Sequence, residues 1–467
     1  MSRIAVVGAG MAGLAAALFC ARRGHEVTLL ERDAAAPPDG AGADRWFTDW
    51  HRPGLPQGRH SHKFLARSCR VLAEEAPDVL DDLVAAGAVR VPVSRLHTGP
   101  PPADEFALAA RRLMHEAVLR RAVGREPTVR LRPGATARAL VTGRPDGGVP
   151  TVDGVRLDSG EVVSADLVVD AAGRHARLLD SIDVRRPPAL VHPCGFVYLT
   201  RHYRLRPGAE LPPLDRPLAM SLGYAATLAF PADNGTFSLS VTLSDQDELR
   251  HALRRPATWD RFIAAVPHTH RWARRGVPQG PVRTMSGIAN RWQRMHDDDG
   301  PALAGLVLLG DAALQTNPTY GRGVSIAFLH AQQLARTLDT TGDPGSAAFT
   351  DAFEAWTARN LGVWYRTQVT ADTAGLRRMA AGLRGQPPPV SDDPFARFMA
   401  GMEVLAGRDE VVARALGRMA HLLITPAQLL GDRDVVRRVT GFLDGRTVTD
   451  DVVEGPARRE FEAIVAA

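Results

Sequence analysis

Cysteine is scarce in this chain of 467 residues. The three present, Cys20, Cys69 and Cys194, are odd in number and far apart. That argues against a disulfide framework or a cysteine-built zinc site. It fits a reducing compartment, so a cytoplasmic protein is expected. Long apolar runs are also missing. None reaches the roughly 18 residues a membrane span needs, so no integral membrane segment is expected. Met1–Ala12 lacks a basic stretch followed by an apolar core and a cleavage site, which speaks against a signal peptide. Lysine is nearly absent. Lys63 stands alone, and arginine carries almost all of the basic charge behind a net charge of +5. The arginines are interleaved with Asp and Glu, with no basic tract among stacked aromatics, so no nucleic-acid partner is expected. No internal repeat and no GxSxG is found.

What is present is a core and a ligand signal. Hydrophobic residues make up 45% of the chain. That is enough for roughly two or three domains, or one large α/β domain with a second layer. Arg3–Val7, "RIAVV", reads as a buried parallel strand. "GAGMAG" follows, then an alanine-rich helix expected over Leu14–Arg23 and ended by Gly24, then a strand "EVTLLE" ending at Glu31. Strand, glycine turn, helix, strand and terminal acid together form a dinucleotide-binding unit. Gly8 permits the tight turn, Gly10 lets a pyrophosphate approach the backbone, and Gly13 lets helix and strand pack closely. The helix N-terminus offers unpaired N–H groups and a partial positive charge to phosphates. Glu31, followed by Arg32, suits an adenosine ribose and disfavours a 2′-phosphate.

Two further stretches extend the signal. "ADLVVDAAGRHARLLDSI", Ala165–Ile182, reads as a strand ending in Asp170, with Gly173 and Arg174 beyond it. "GDAALQTNPTYGRGVS", Gly310–Ser325, follows the apolar run Leu306–Leu309 and leads into a helix from about Val324. Asp311 suits the hydroxyls of a ribityl chain. Pro318, Gly321 and Gly323 let backbone approach a flat ring, and the helix would direct its positive end at a reduced flavin's charge.

The trio "GAGMAG…E", "DAAGRHAR" and "GDAALQTNPTYGRG", in this order and spacing, resembles the single-component (class A) FAD-dependent monooxygenases. "PQGRHSH" and "NPTYGRG" look closer to its squalene- and polyether-epoxidase-like branch. The resemblance implies an α/β, Rossmann-like FAD-binding fold with an inserted antiparallel β-sheet substrate domain and a helical C-terminal region. It implies FAD as resident cofactor, NAD(P)H as transient reductant, O₂ adding at flavin C4a, and a hydrophobic organic substrate, such as a secondary metabolite, that is hydroxylated or epoxidised. Carried over by residue, Gly8, Gly10, Met11, Ala12, Gly13, Glu31 and Arg32 would hold the ADP half. Arg112, at the start of a helix, and Arg59 would contact FAD. Asp170 and Gly173 match the middle motif. Gly310, Asp311, Pro318, Gly321, Gly323 and Val324 match the third, with Asn317 and Tyr320 in the same loop. No catalytic side chain is singled out, because the cofactor carries the hard chemistry. Ala171-Ala172, Leu314 and Arg322 depart from the family pattern. Arg322 would favour an anionic flavin, meet a substrate carboxylate, or point to solvent.

"RPGLPQGRHSHKFL", Arg52–Leu65, stays out of regular structure until about Ser61 and passes the flavin, with Gln57, Arg59 or His60 at its edge. His60 and His62 are spaced i, i+2 with no HExxH partner, and "HDDDG", His296–Gly300, reads as a solvated turn, so no metal is expected. The cofactor layer is expected at 1–182 and 283–345, the substrate sheet at 183–282, and the helical region at 346–467. Ala219–Ser244 reads as antiparallel strands with a turn at Asp233–Gly235. Phe196, Tyr224 and Phe230 line the substrate cavity or belong to plain core. The C-terminal helices, broken at Arg384–Pro394, cap the site or form a homodimer face, and the apolar Leu416–Leu430 packs on the body. Alternatives are an FAD dehydrogenase, desaturase or reductase on the same fold, a flavin-binding protein without oxygen transfer, and a plain NAD dehydrogenase.

Overall fold

The computed structural model describes residues 1–40, 42–94, 96, 105–214, 217–297, 300–387, 389–446 and 455–466. Strand β1 (Arg3–Val7) is apolar and buried after its first residue, as a central parallel strand must be. Helix α1 (Met11–Ala21) begins three residues before the expected Leu14. Gly10 is its extended N-cap, and Gly13, inside the helix, rests on the Gly8 carbonyl. Strand β2 (Glu26–Glu31) returns beside β1. Helix α2 (Arg112–Arg125) and strand β3 (Val129–Pro133) extend this layer, and strand β4 (Leu167–Asp170) enters on the other side of β1.

A second, antiparallel sheet follows. Its strands are β5 (Phe196–Leu205), β6 (Ala219–Ser221), β7 (Ala225–Pro231), β8 (Thr236–Ser244) and β9 (Gly276–Met285), in the order β6-β7-β8-β5-β9. The β7–β8 turn lies where the sequence places it, with Asn234 (φ 53°) and Gly235 (φ 67°) in the left-handed region. Strand β8 alternates strictly. Phe237, Leu239, Val241 and Leu243 join a core with Trp259, Phe262 and Trp272, whereas Ser238, Ser240 and Thr242 point to the opposite face. Asp233, in the β7–β8 turn, ties this sheet to the first layer. Its carboxylate accepts from the Arg111 backbone N–H (2.6 Å) and guanidinium, just before α2.

Strand β10 (Leu306–Leu308) then completes a five-stranded parallel sheet ordered β10-β4-β1-β2-β3. Its register decides the site. Val7, Leu30, Asp170 and Leu308 are aligned across four strands. The segments that begin at Gly8, Glu31, Ala171 and Leu309 therefore leave from one carboxyl edge, where ligands of open α/β sheets bind. Helix α3 (Gly323–Thr340) packs against α1 behind that edge.

The remainder is helical: α4 (Ala347–Asn360), α5 (Gly362–Leu383), α6 (Pro394–Leu405), α7 (Glu410–Ala420), α8 (Pro426–Gly431), α9 (Arg433–Leu443) and α10 (Arg458–Ala466). The break before Pro394 is where the sequence places it. Leu416–Leu430 folds into α7 and α8, with Leu422 and Leu429 buried in the core cluster that also holds Val7, Val168 and Leu308. Among the described residues no helix is long and apolar enough to cross a membrane. The Arg52–Leu65 loop stays irregular longer than expected, with a short 3-10 turn at Pro56–Arg59 and a regular helix only from Ala66.

Candidate functional site

A cavity of about 820 Å³ joins the two sheets. That is within the usual range of about 300–1,000 Å³ for ligand sites. One part is walled by the carboxyl edge of the parallel sheet, including Gly8, Gly10, Glu31, Gly173 and Asp311. Another is walled by the antiparallel sheet, including Tyr198, Thr200, Leu228, Phe230, Ser240 and Met285.

The glycines at the edge serve two different needs. Some allow one segment to touch another. A Cβ on Gly8 (φ +100°) would stand 2.6 Å from the Ala171 carbonyl oxygen, and one on Gly13 only 1.8 Å from that of Gly8. A Cβ on Gly310 (φ +58°) would meet the Ala12 methyl at 3.0 Å. The first motif thus touches both of the others. Gly10 and Gly173 differ, because a Cβ on either would meet nothing within 4 Å. Both line the cavity, so their missing side chains keep its space clear.

Three carboxylates stand at this edge in unlike states. Glu31 is well partnered, accepting from the backbone N–H groups of Ala9 (2.8 Å) and Asp33 (2.9 Å) and from Arg52 (3.2 Å). Arg52 is also buried against Asp33 and Glu116, and so anchors the Arg52–Leu65 loop to β2 and α2. Asp170 accepts from Ala172 N–H through one oxygen, while the other is buried with no partner among the described residues. Burial raises its pKa to about 6. Asp311 lines the cavity and makes no hydrogen bond to a described residue. Burial raises its pKa, against the pull of Arg112 and Arg174.

Behind Tyr198 and Thr319 of the wall lies a hydrogen-bonded network whose amides have fixed orientations. Asn290 Oδ1 accepts from the Asn317 backbone N–H (2.7 Å), so its Nδ2 faces Asp372 (2.7 Å). Gln368 Oε1 accepts from Arg322 (3.1 Å), so its Nε2 also faces Asp372 (2.9 Å). Asn317 Nδ2 is the third donor to that carboxylate (2.8 Å), which leaves Oδ1 to accept from the Tyr198 hydroxyl. Thr319 Oγ1 lies 2.5 Å from the same hydroxyl. With the tyrosine proton committed to Asn317, Thr319 is the donor in that contact.

Most residues singled out in the sequence lie on the cavity wall: Gly8, Gly10, Met11, Ala12, Glu31, Arg32, Arg112, Gly173, Asp311, Pro318, Gly321, Gly323 and Val324. Gly13, Asp170 and Gly310 sit behind it. Arg59 is turned away. Its guanidinium is held by the carbonyls of Phe47 (2.9 Å), Thr48 (3.2 Å) and Trp50 (3.1 Å), off the cavity wall. Gln57, His60 and His62 do line it. Arg322 reaches neither solvent nor the cavity and is buried against Gln368 and the rings of Tyr320 and Trp364. Phe230 lines the cavity, whereas Phe196 and Tyr224 belong to core clusters. His296 and Asp297 pair with Pro301 and Gly300 in a small hairpin, while Asp298 and Asp299 lie outside the described residues. Sequence reasoning missed Arg52, Tyr198, Thr200, Ser240 and Asp372. The polar alternation in β8 was a usable signal for Ser240. Asp372, inside an amphipathic helix, offered none.

Comparison with known proteins bears on this geometry. A family profile described as FAD-dependent oxidoreductase (DAO) matches residues 3–149. Protein Rv3254 of Mycobacterium tuberculosis is 30% identical over 373 residues, which cover 71% of this chain and 72% of the relative. Kynurenine 3-monooxygenase of Salinispora tropica is 28% identical over 375 residues, covering 76% of each chain. Among solved structures, the flavin-dependent brominase Bmp2 superposes with a TM-score of 0.62 at 16% identity, over 95% of this chain and 98% of its own.

Proposed function

Because this chain belongs to the class A FAD-dependent monooxygenase family, we propose that FAD lies along the cavity's parallel-sheet wall. The enzyme would then use NAD(P)H and O₂ to hydroxylate or epoxidise a hydrophobic small molecule held against the antiparallel sheet. In this reading Gly8, Gly10, Met11, Ala12 and Gly13 take the pyrophosphate side, and Glu31 and Arg32 the adenosine side. Arg112, Asp170 and Gly173 lie between, Gly310 and Asp311 serve the ribityl chain, and Pro318, Gly321, Gly323 and Val324 meet the ring. Arg59 is left out.

The observation that carries the reading is Asp311, a carboxylate on the cavity wall with no hydrogen bond to a described residue. A half-buried acceptor aimed into a cavity suits donors from a ligand, and a polyol chain supplies them. The two open glycines, Gly10 and Gly173, add room for a long ligand. Helices α1 and α3 add two N-termini without side-chain caps, whose N–H groups and partial positive charge suit a pyrophosphate and a reduced ring.

When bound and reduced, the flavin supplies the activation of dioxygen. The chain's own residues then do the rest. Leu218, Leu228, Phe230, Met285 and Ile288 hold an apolar substrate and exclude water. Tyr198, Thr200 and Ser240 present oxygen atoms that orient it. The substrate is an aromatic or polyene compound of secondary metabolism in this reading. A cytoplasmic location agrees with the three cysteines, all buried and unpaired.

An absorbance spectrum of the purified protein tests the reading. Flavin bands that bleach on anaerobic addition of NAD(P)H, and oxygen-18 from labelled O₂ in the product, are expected. Asp311→Ala should retain FAD at least about tenfold more weakly. A colourless protein that takes up no FAD, or unchanged FAD retention in that variant, counts against it. Product without labelled oxygen moves the assignment to an FAD dehydrogenase.

A further inference from the structure

On the antiparallel-sheet side of the cavity, five side chains form a line whose proton positions follow from donor and acceptor counting. Ser61 Oγ donates to Ser238 Oγ at 2.7 Å. A hydroxyl has one proton, so in the 2.8 Å contact between Ser61 and Ser240 the donor must be Ser240. That spends the Ser240 proton, so Thr200 donates to Ser240 across their 2.8 Å contact. The Thr200 proton is then spent as well. In the 3.2 Å contact between His60 Nδ1 and Thr200 Oγ1, the proton therefore belongs to the histidine. His60 is 5% exposed, and burial, with the Arg283 charge as a smaller cause, lowers its pKa to about 4, so the ring is neutral near pH 7. A neutral imidazole with its proton on Nδ1 has a bare lone pair on Nε2. That nitrogen has no partner among the described residues, and His60 lines the cavity.

The Tyr198 network, built from different residues, ends the same way. Tyr198 gives its proton to Asn317 and Thr319 gives its proton to Tyr198, so Thr319, also on the wall, shows the cavity only lone pairs. Two independent chains thus present acceptors, and none of their members on the cavity wall has a proton left to give.

We propose that His60 Nε2 is a committed hydrogen-bond acceptor for the substrate, and that the Thr200–Ser240–Ser61–Ser238 line is the device that fixes its tautomer. The inference rests on the proposed monooxygenase site and adds a selection rule to it. The site takes ring compounds that carry a hydroxyl or N–H donor and rejects isosteres in which that donor is methylated or replaced by an acceptor. His60 is the specificity-determining residue and Thr200 a positioning residue.

The test uses the FAD-loaded enzyme, with 2-naphthol and 2-methoxynaphthalene as probes and the flavin difference spectrum as readout. The wild-type protein should bind the naphthol about tenfold tighter than the ether, the size expected when a buried acceptor is left unpaired. Thr200→Val keeps the shape but removes the acceptor for Nδ1–H, so the tautomer is released and the preference should fall to about twofold. Thr200→Ser should restore it. His60→Leu should abolish it in the FAD-loaded protein. Equal affinities in the wild type overturn the proposal. So does a preference that survives Thr200→Val, or a holoenzyme that oxidises NAD(P)H while neither probe perturbs its flavin. A protein that takes up no FAD fails earlier, at the proposed function, and this inference falls with it.

Discussion

Arg52 shows how much a single side chain can hold at this site. It is buried among Glu31, Asp33 and Glu116, so removing it leaves three carboxylates sharing Arg112 and Arg120 alone. Breaking a buried ion pair from one side costs about 3–5 kcal/mol, because the abandoned charge stays buried. Arg52→Met should therefore lower the unfolding free energy by that order, measured by chemical denaturation. It should also loosen the Arg52–Leu65 loop, seen as faster proteolysis there. A change below about 1 kcal/mol would mean that Arg112 and Arg120 already balance the cluster. Residue identity matters here in a way charge alone does not. Only a planar fork reaches three carboxylates at once, which is why arginine and not lysine fills the position.

The decisive element is the turn from β1 into α1. Gly13 is helical and lies on the Gly8 carbonyl, and a methyl group there would stand 1.8 Å from that oxygen. The helix cannot back away without leaving the sheet, since its other faces are packed in the main core. Gly13→Ala should destabilise the protein by more than about 3 kcal/mol, seen as a lowered Tm or insoluble expression. Gly124, in the last turn of α2, is the control. A Cβ there meets nothing within 4 Å, so Gly124→Ala should be neutral or stabilise by up to about 1 kcal/mol. Equal effects of the two substitutions would show that helix propensity, not the close approach, sets the requirement. Strand β8 makes a related point. Its alternation supplies a core on one face and the hydroxyl line of the cavity on the other, so a register slip of one residue would exchange them.

At the scale of the whole molecule, a titrating group outside the cavity links stability to pH. Glu354, on α4, is buried and among the described residues has only a 3.4 Å contact from the Met295 N–H, and burial raises its pKa from 4.5 to about 7. Between those values the folded protein keeps a proton that the unfolded chain has lost. The contribution is fully present below about pH 4.5 and disappears as pH rises through 7. One pKa unit corresponds to about 1.4 kcal/mol, so the effect is on the order of 3 kcal/mol. The buried histidines set the background pH profile, so the test is the difference: the Tm of Glu354→Gln relative to the wild type should rise as pH goes from 5 to 7.5. Parallel profiles would show that Glu354 is not the group responsible.

The sequence by itself determined the local units. "RIAVVGAGMAG" could only become strand, turn and helix, because apolar run, glycine placement and alanine-rich helix all act within neighbouring residues. The same holds for the turn at Asp233–Gly235 and the break before Pro394. It also separated the glycine-rich stretches from ordinary loops, and family resemblance then linked them. What it left open were the relations between distant segments. The alignment of Val7, Asp170 and Leu308 on one edge depends on strand pairing across hundreds of residues, which no local pattern encodes. Only the folded chain turned Arg59 toward the Phe47, Thr48 and Trp50 carbonyls, sent Arg322 under Trp364, and brought Asp372 to Asn317. Those outcomes depend on which acceptors and rings lie within reach once the layers have packed. The proton on His60 belongs to the same class, because its position follows from four hydroxyls that meet it only in three dimensions.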